Sequence, residues 1–409
     1  MKDVINLKVK WTCQKMKIFC EIIHNCYSKI FYENWPFWFA GVLIGIMSIL
    51  TFTWERPWGV AGGLKNWGDS FFYMTGLYSQ KPSSPFFTAS SILTIGLLYG
   101  SFTSALMSKQ FALRPSSIIE TIKGILGGST MGIGAAMAKG CNIGGFYSAI
   151  SSMSLGGICM MIGLFFGANL GIRYLYWELD NIPSSPTKKI HNIKKKRKQF
   201  NFFQLQPFLG FIGLLLAFVS MWFYAQNAYT KIGGLLLFGI LFGVILHRSR
   251  FCFVRFFRDP FMSGEANMVR AVSYSIIISL IGFAILKWTG LRGEMVFVTK
   301  TFWFGGLFGG AIFGFGMVIA GGCGSGSIWR AGEGHIKLIL CIISFALTTS
   351  IVNKIIQSYP EIKKIMGVRV FLPEYITYGW SIFLIICIFC FCSLLFTWNE
   401  RTEKFIIEM

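Results

Sequence analysis

Apolar residues along this chain gather into long unbroken runs, and short polar or charged clusters separate them. A helix needs about 20 predominantly apolar residues to cross a bilayer. Ten runs approach or meet that length: Pro36–Trp54, Ser90–Met107, Ile118–Ala138, Leu155–Trp177, Pro207–Tyr224, Ile232–His247, Ala271–Trp288, Phe302–Gly321, Leu338–Val352 and Trp380–Phe396. The pattern predicts an all-α polytopic membrane protein with about ten transmembrane segments. Its expected parts are a basic N-terminal segment (1–34), a first transmembrane repeat (35–180), a basic linker (181–206), a second repeat with additional flanking helices (207–400) and a short tail (401–409).

The word "repeat" rests on two stretches. Residues 131–150 read MGIGAAMAKGCNIGGFYSAI, and 310–334 read GAIFGFGMVIAGGCGSGSIWRAGEG. A shift of 182 positions places Gly132 on Gly314, Gly134 on Gly316, Ala138 on Ala320, Gly140 on Gly322, Cys141 on Cys323 and Gly144 on Gly326. Glycine weakens a helix, so such runs point to close helix approach or to broken half-helices whose backbone faces a ligand. A weaker match places Gly239 and Gly243 on Gly41 and Gly45, and so Cys252 on Trp54. By that register the first half has lost a cysteine that the second kept.

Composition then narrows the class. Charged residues are 13% of the chain, against about 25% in soluble domains, which leaves little for a soluble domain. The net charge of +21 is what positive-inside loops produce, so it calls for no nucleic acid. Lys109 with Arg114, the seven Lys/Arg between Lys188 and Lys198, and Arg248, Arg250, Arg255 and Arg258 fall in alternate loops. Both termini are therefore expected in the cytoplasm. The segment Pro207–Tyr224 would reverse the second copy, making the repeats inverted, with Cys141 and Cys323 approaching the midplane from opposite sides.

Eleven cysteines and four isolated histidines show no metal-ligand spacing, and neither a metal nor a cofactor is expected. Most cysteines read as small packing residues, including Cys387, Cys390 and Cys392 in the last apolar run; Cys13, Cys20 and Cys26 receive no role. Cys141, Cys252 and Cys323 are different, because each lies in a glycine- or arginine-rich box. A neutral thiol is a soft, weak donor. Together with helix N-termini it suits a soft anion that must be held and then released. The expected pathway residues are Cys141, Cys252, Cys323, Gly140, Asn142, Gly144, Gly322, Gly324, Gly326, Arg250 and Lys139.

Other charged and aromatic residues have competing readings. The arginines after Cys252 either draw an anion or anchor the loop, pairing with Asp259. Arg330 and Glu333 have the spacing of a structural pair. Lys139 is either functional at membrane depth or snorkels to the interface. Trp54, Trp58, Trp67 and Tyr73 read as an interfacial belt in a loop made irregular by Pro57, Gly59, Gly62 and Gly63.

The boxes GCNIGGFYSAI (140–150), RSRFCFVRFFRD (248–259) and AGGCGSGSIWRAGEG (320–334) resemble the YeeE/YedE family of sulfur-transport membrane proteins. The stretch WGVAGGLKNWGD (58–69), the basic linker and the aromatic last run are similar to the YedE branch. The resemblance covers about Trp35 to Lys404. It implies an hourglass-like inverted-repeat fold with broken helices, in a bacterial cytoplasmic (inner) membrane. It also implies uptake of thiosulfate or a related sulfur or selenium anion past Cys141, Cys252 and Cys323, with a small TusA-like cytoplasmic sulfurtransferase as acceptor. A membrane thiol enzyme relaying sulfur or electrons is the competing function. It requires two of these cysteines within disulfide reach.

Overall fold

The computed structural model describes residues 21, 22, 25–181 and 202–407. Most of the N-terminal segment, with Cys13 and Cys20, and the basic run Lys188–Lys198 lie outside the described residues. The first half runs α1 (Phe37–Trp54), α2 (Ala61–Met74), α3 (Ala89–Met107), α4 (Ile118–Met137), α5 (Ser148–Ser151, preceded by a π-helical turn Asn142–Tyr147) and α6 (Leu155–Asn181). After α7 (Phe202–Gln226) the second half runs α8 (Thr230–Ser249), α9 (Phe253–Met262), α10 (Asn267–Trp288), α11 (Phe304–Ala320), α12 (Gly324–Gly332) and α13 (Ile336–Ser358). The short α14 (Pro360–Ile365) and α15 (Pro373–Ile376) lead into α16 (Tyr378–Thr402).

All ten apolar runs are helical. Among the described residues, nine helical stretches are long and apolar enough to cross a membrane. The tenth, α4, carries Glu120, Lys123 and several glycines and packs between α11 and α13.

The packing is reciprocal. α1 packs on α10 and α3 on α8; α4 packs on α13 and α6 on α11; α2 packs on α13 and α9 on α6. Each pair maps onto the next when the halves are exchanged, and α4 and α11 meet each other. That is a two-fold arrangement in which each half completes the other. Glycines set the close contacts, as small residues do between membrane helices. A methyl group on Gly45 would lie 3.0 Å from Ile278 on α10, and one on Gly239 would lie 2.5 Å from the Leu93 carbonyl oxygen on α3. The register of Gly41 and Gly45 on Gly239 and Gly243 is therefore real.

Its extension to Trp54 and Cys252 is not. Arg250, in the left-handed region at φ 55, stops α8, whereas α1 continues to Trp54. Cys252 instead precedes α9 as Val60 precedes α2. The interfacial belt also needs correction. Residues 61–74 form a helix rather than an irregular loop. Trp58 is buried and stacks on Phe242 at 4.2 Å between centroids. Trp67 is half-buried, with its indole N–H donating to Ser91. Trp54 and Tyr73 do face outward.

Candidate functional site

Two chain reversals form the centre. Cys141 (φ −80, ψ −178) and Cys323 (φ −81, ψ −178) share one backbone conformation, and each immediately precedes a new helical segment. Gly145 N–H donates to the Cys141 carbonyl and Ser327 N–H to the Cys323 carbonyl, both at 2.7 Å. The helices thus begin at Asn142 and Gly324. Cys323 Sγ caps its helix by accepting from Gly326 N–H at 3.3 Å, so its sulfur faces the free amides of a helix start.

The second-half sulfurs meet there: Cys252 Sγ lies 3.9 Å from Cys323 Sγ. Cys141 is close by, since a methyl group on Gly324 would sit 3.6 Å from Cys141 Cβ and 3.0 Å from a Val60 methyl. All three cysteines are buried. Gly326 abuts both second-half sulfurs: a methyl group there would lie 2.7 Å from Cys252 Sγ and 3.2 Å from Cys323 Sγ. Gly144, its repeat partner, has open space on that side. Gly140 and Gly322 admit the Gly145 amide and the Ser327 hydroxyl. Gly326→Val is therefore expected to lower uptake at least tenfold, while Gly144→Ala melts as the parent does; uptake and thermal unfolding of both variants check this.

Cavities of opposite hand flank the centre. One, about 450 Å³, is lined by Arg56, Trp58, Gly140, Gly144, Lys139, Lys300 and Lys363 among others, with no carboxylate. The other, about 790 Å³, is lined by Arg114, Arg250, Arg255, Arg258, Trp329 and Arg330, with Asp259, Glu265 and Glu333. The loop after α10 lines the first, and the loop after the repeat-equivalent α3 lines the second. Glu265, beside the start of α10, lines the second. The cavities thus lie toward opposite ends of a 22-residue helix, whose length is about 33 Å at 1.5 Å per residue.

Between them, buried Asn142 has neither amide nitrogen nor oxygen paired, and the Trp58 indole N–H has no partner, among the described residues. Buried polar groups are normally satisfied. Both are neutral donors: Asn142 directly follows Cys141, and Trp58 lines the first cavity with Gly140 and Gly144.

Lys139 lies at the first cavity's mouth, exposed, with Nζ donating to Asn353 Oδ1 at 3.0 Å. It takes the left-handed conformation (φ 54) that its repeat partner Gly321 takes at φ 75. An L-residue pays for this where glycine does not. Lys139→Gly should stabilise the fold by about 1 kcal/mol while weakening anion capture, read as a higher melting temperature with a higher KM.

At the other cavity, Arg255 and Arg258 pair with Asp259 at 2.6 and 2.9 Å. Arg330 and Glu333 do not pair. Arg330 turns back to donate to the Gly321 carbonyl at 2.9 Å, closing the end of α11. Glu333 is held by Arg250, by Arg114 at 3.4 Å, by His247 at 2.9 Å and by His335 at 3.6 Å. Burial raises its carboxyl pKa, but contacts with His247 and His335 and the His247 and Arg250 charges outweigh burial and hold it well below the usual carboxylate range. The described residues contain no cluster of three metal-ligating side chains.

A family model described as sulphur transport matches residues 14–170 and 248–408, one segment on each half. The chain belongs to that family. Its similar relatives include "Probable transporter YedE" of Salmonella typhimurium, 28% identical over 75% of this chain and 79% of the relative. The protein of the same name in Escherichia coli K12 is 30% identical over 68% of this chain and 71% of its own length. The "Thiosulfate transporter TsuA" of Spirochaeta thermophila is 39% identical over 24% of this chain and 29% of its length. No solved structure gives a significant match.

Membership of a sulphur-transport family fits a multi-helix membrane protein with thiols at its centre. Sequence reasoning had placed Cys141, Cys252, Cys323, Asn142, Arg250 and Lys139 in the pathway, and the structure groups them at the centre and its two mouths. It missed Trp58, taken for a surface residue, and the cage around Glu333, whose members come from three separate stretches. The proline and glycines around Trp58 were the available sign that this indole is not simply interfacial.

Proposed function

We propose that the protein is a permease for a small sulfur- or selenium-containing anion, with thiosulfate as the leading candidate. The anion enters at the Lys139–Lys300–Lys363 cavity, passes Cys141, Cys323 and Cys252, and leaves through the arginine-lined cavity. The observation that carries this reading is the meeting of three buried thiols where two re-entrant helices begin, between two cationic cavities. Neutral donors at the narrowest part suit passage, because fixed positive charge there would hold a dianion too tightly. Asn142 and Trp58 add donors of the same neutral kind. The arginine-rich side is assigned to the cytoplasm, which puts both termini there, in a bacterial inner membrane. A TusA-like sulfurtransferase is the proposed acceptor at that mouth.

One observation favours a second reading. The 3.9 Å separation of Cys252 and Cys323 sulfurs is what a sulfur- or electron-relaying dithiol would have. Proteoliposomes holding only this protein decide between them, using thiosulfate with different isotopes on its two sulfur atoms. A permease delivers both labels in equal amount without any redox partner. Delivery of one label alone establishes the relay, and no uptake of either by well-inserted protein removes thiosulfate in favour of selenite or another anion.

A further inference from the structure

The arginine-lined cavity contains a carboxylate that anion passage does not obviously need. Glu333 directly follows α12, so its charge sits at the negative end of that helix dipole, and it is only 1% exposed. Both placements disfavour an anion. The Arg250 and Arg114 guanidiniums hold it there, with the His247 and His335 imidazoles beside it. One of these is tied both to the thiols and to the exit. Arg250 lies on the same turn as Cys252, two residues before it, and its guanidinium lies 5.4 Å from the Trp329 ring. The Arg330 guanidinium lies 5.2 Å from the same ring. Among the described residues Arg330 has no carboxylate partner, and its recorded hydrogen bond goes to the Gly321 carbonyl.

We infer that Arg330 and Arg250, over Trp329, form a release site for the permeant oxyanion, and that Glu333 is its tethered competitor. The inference rests on the transport reading above. An anion leaving the Cys252–Cys323 pair meets Arg330 first and draws Arg250 from Glu333. Glu333 then reclaims Arg250, and the anion moves into the 790 Å³ cavity. Two unopposed guanidiniums would retain a dianion, since charge-assisted fork-like contacts are strong. A carboxylate on the same short helix competes at the high effective concentration of an intramolecular partner. Its ionised state is fixed by the cage, so the competing anion, rather than a proton, opens the contact.

The test uses purified full-length protein, with anion-dependent thermal stabilisation by thiosulfate, sulfate and selenite read beside uptake in proteoliposomes. Glu333→Gln should lower the half-stabilising anion concentration about tenfold and lower uptake turnover by a similar factor, as expected for loss of one charged competitor. Arg330→Gln should raise that concentration about tenfold, with the loss of its bond to the Gly321 carbonyl read separately as a somewhat lower anion-free melting temperature. Glu333→Asp, which keeps the charge on a shorter arm, should fall between Glu333→Gln and the parent, and serves if Glu333→Gln does not fold. A purely structural Glu333 predicts lower stability with unchanged or weaker anion binding. That outcome overturns the inference, as does parent-like binding by Arg330→Gln. If the parent moves none of the three anions, the transport reading fails. The release site is then judged by whether Glu333→Gln gains anion-dependent stabilisation that the parent lacks, and the absence of any gain overturns it.

Discussion

Cys141→Ala and Cys323→Ala are each expected to lower thiosulfate uptake about thirty- to a hundredfold in protein that still inserts and folds, with Cys323→Ala losing about 1 kcal/mol of stability with its helix cap. Each thiol is buried at the meeting of the re-entrant turns. A desolvated anion that loses one partner there loses about 2–3 kcal/mol, and each 1.4 kcal/mol is tenfold. Folding loses less, because beyond the bond from Gly326 N–H to the Cys323 sulfur the turns stay intact and the backbone bonds from Gly145 and Ser327 remain. Cys387→Ala, Cys390→Ala and Cys392→Ala form the comparison set. Cys387 and Cys390 are exposed and Cys392 half-buried on α16, at the periphery, and uptake should stay within about twofold. Equal damage from these three would mean that the conducting thiols have been placed wrongly.

Oxidation should close the path reversibly. Cys252 and Cys323 sulfurs are 3.9 Å apart, and a disulfide needs about 2 Å with modest backbone adjustment. A membrane-permeant two-electron oxidant of the diazene type takes up the two thiol protons and two electrons as the S–S bond forms. Uptake then falls at least tenfold and returns on adding a dithiol reductant. Cys252→Ala is insensitive to this treatment, although its starting uptake is lower. Inhibition that persists in Cys252→Ala would place the sensitive group elsewhere. Stimulation by the oxidant would favour the relaying enzyme, whose dithiol has to cycle.

The ten apolar runs were legible as helices, nine of them among the described residues long and apolar enough to cross a membrane, because bilayer crossing imposes length and apolarity that few other structures share. The cysteine turns were legible because glycine and cysteine recur in one register, and the two copies adopt backbone angles within a degree or so of each other. α2 was hidden because AGGLKNWGDSFFYM mixes glycine, lysine and aspartate; tertiary packing on α13 holds a helix that propensity does not announce. The place of Cys252 was misread because α1 and α8 end at different points of a shared glycine register. The Glu333 cage was invisible in principle. Glu333 and Arg330 stand three apart, the usual spacing for a pair, yet the partners that count are Arg114, Arg250 and His247, far away in sequence. Which of several arginines meets a carboxylate is settled by packing, and no local pattern records it.

The crossed pairing of α1 with α10 and α3 with α8 bears on how such a chain could arise. A single half would leave the faces of five helices without their mates, so it would have no finished interior of its own. An ancestor of half this length could have worked only as two opposed copies inserted in both directions. Joining them in one gene required an odd number of additional crossings between the copies, and α7 provides one. Once joined, the copies were free to diverge, so that one mouth became rich in lysine and the other in arginine. Direction could then be written into a body whose plan has none.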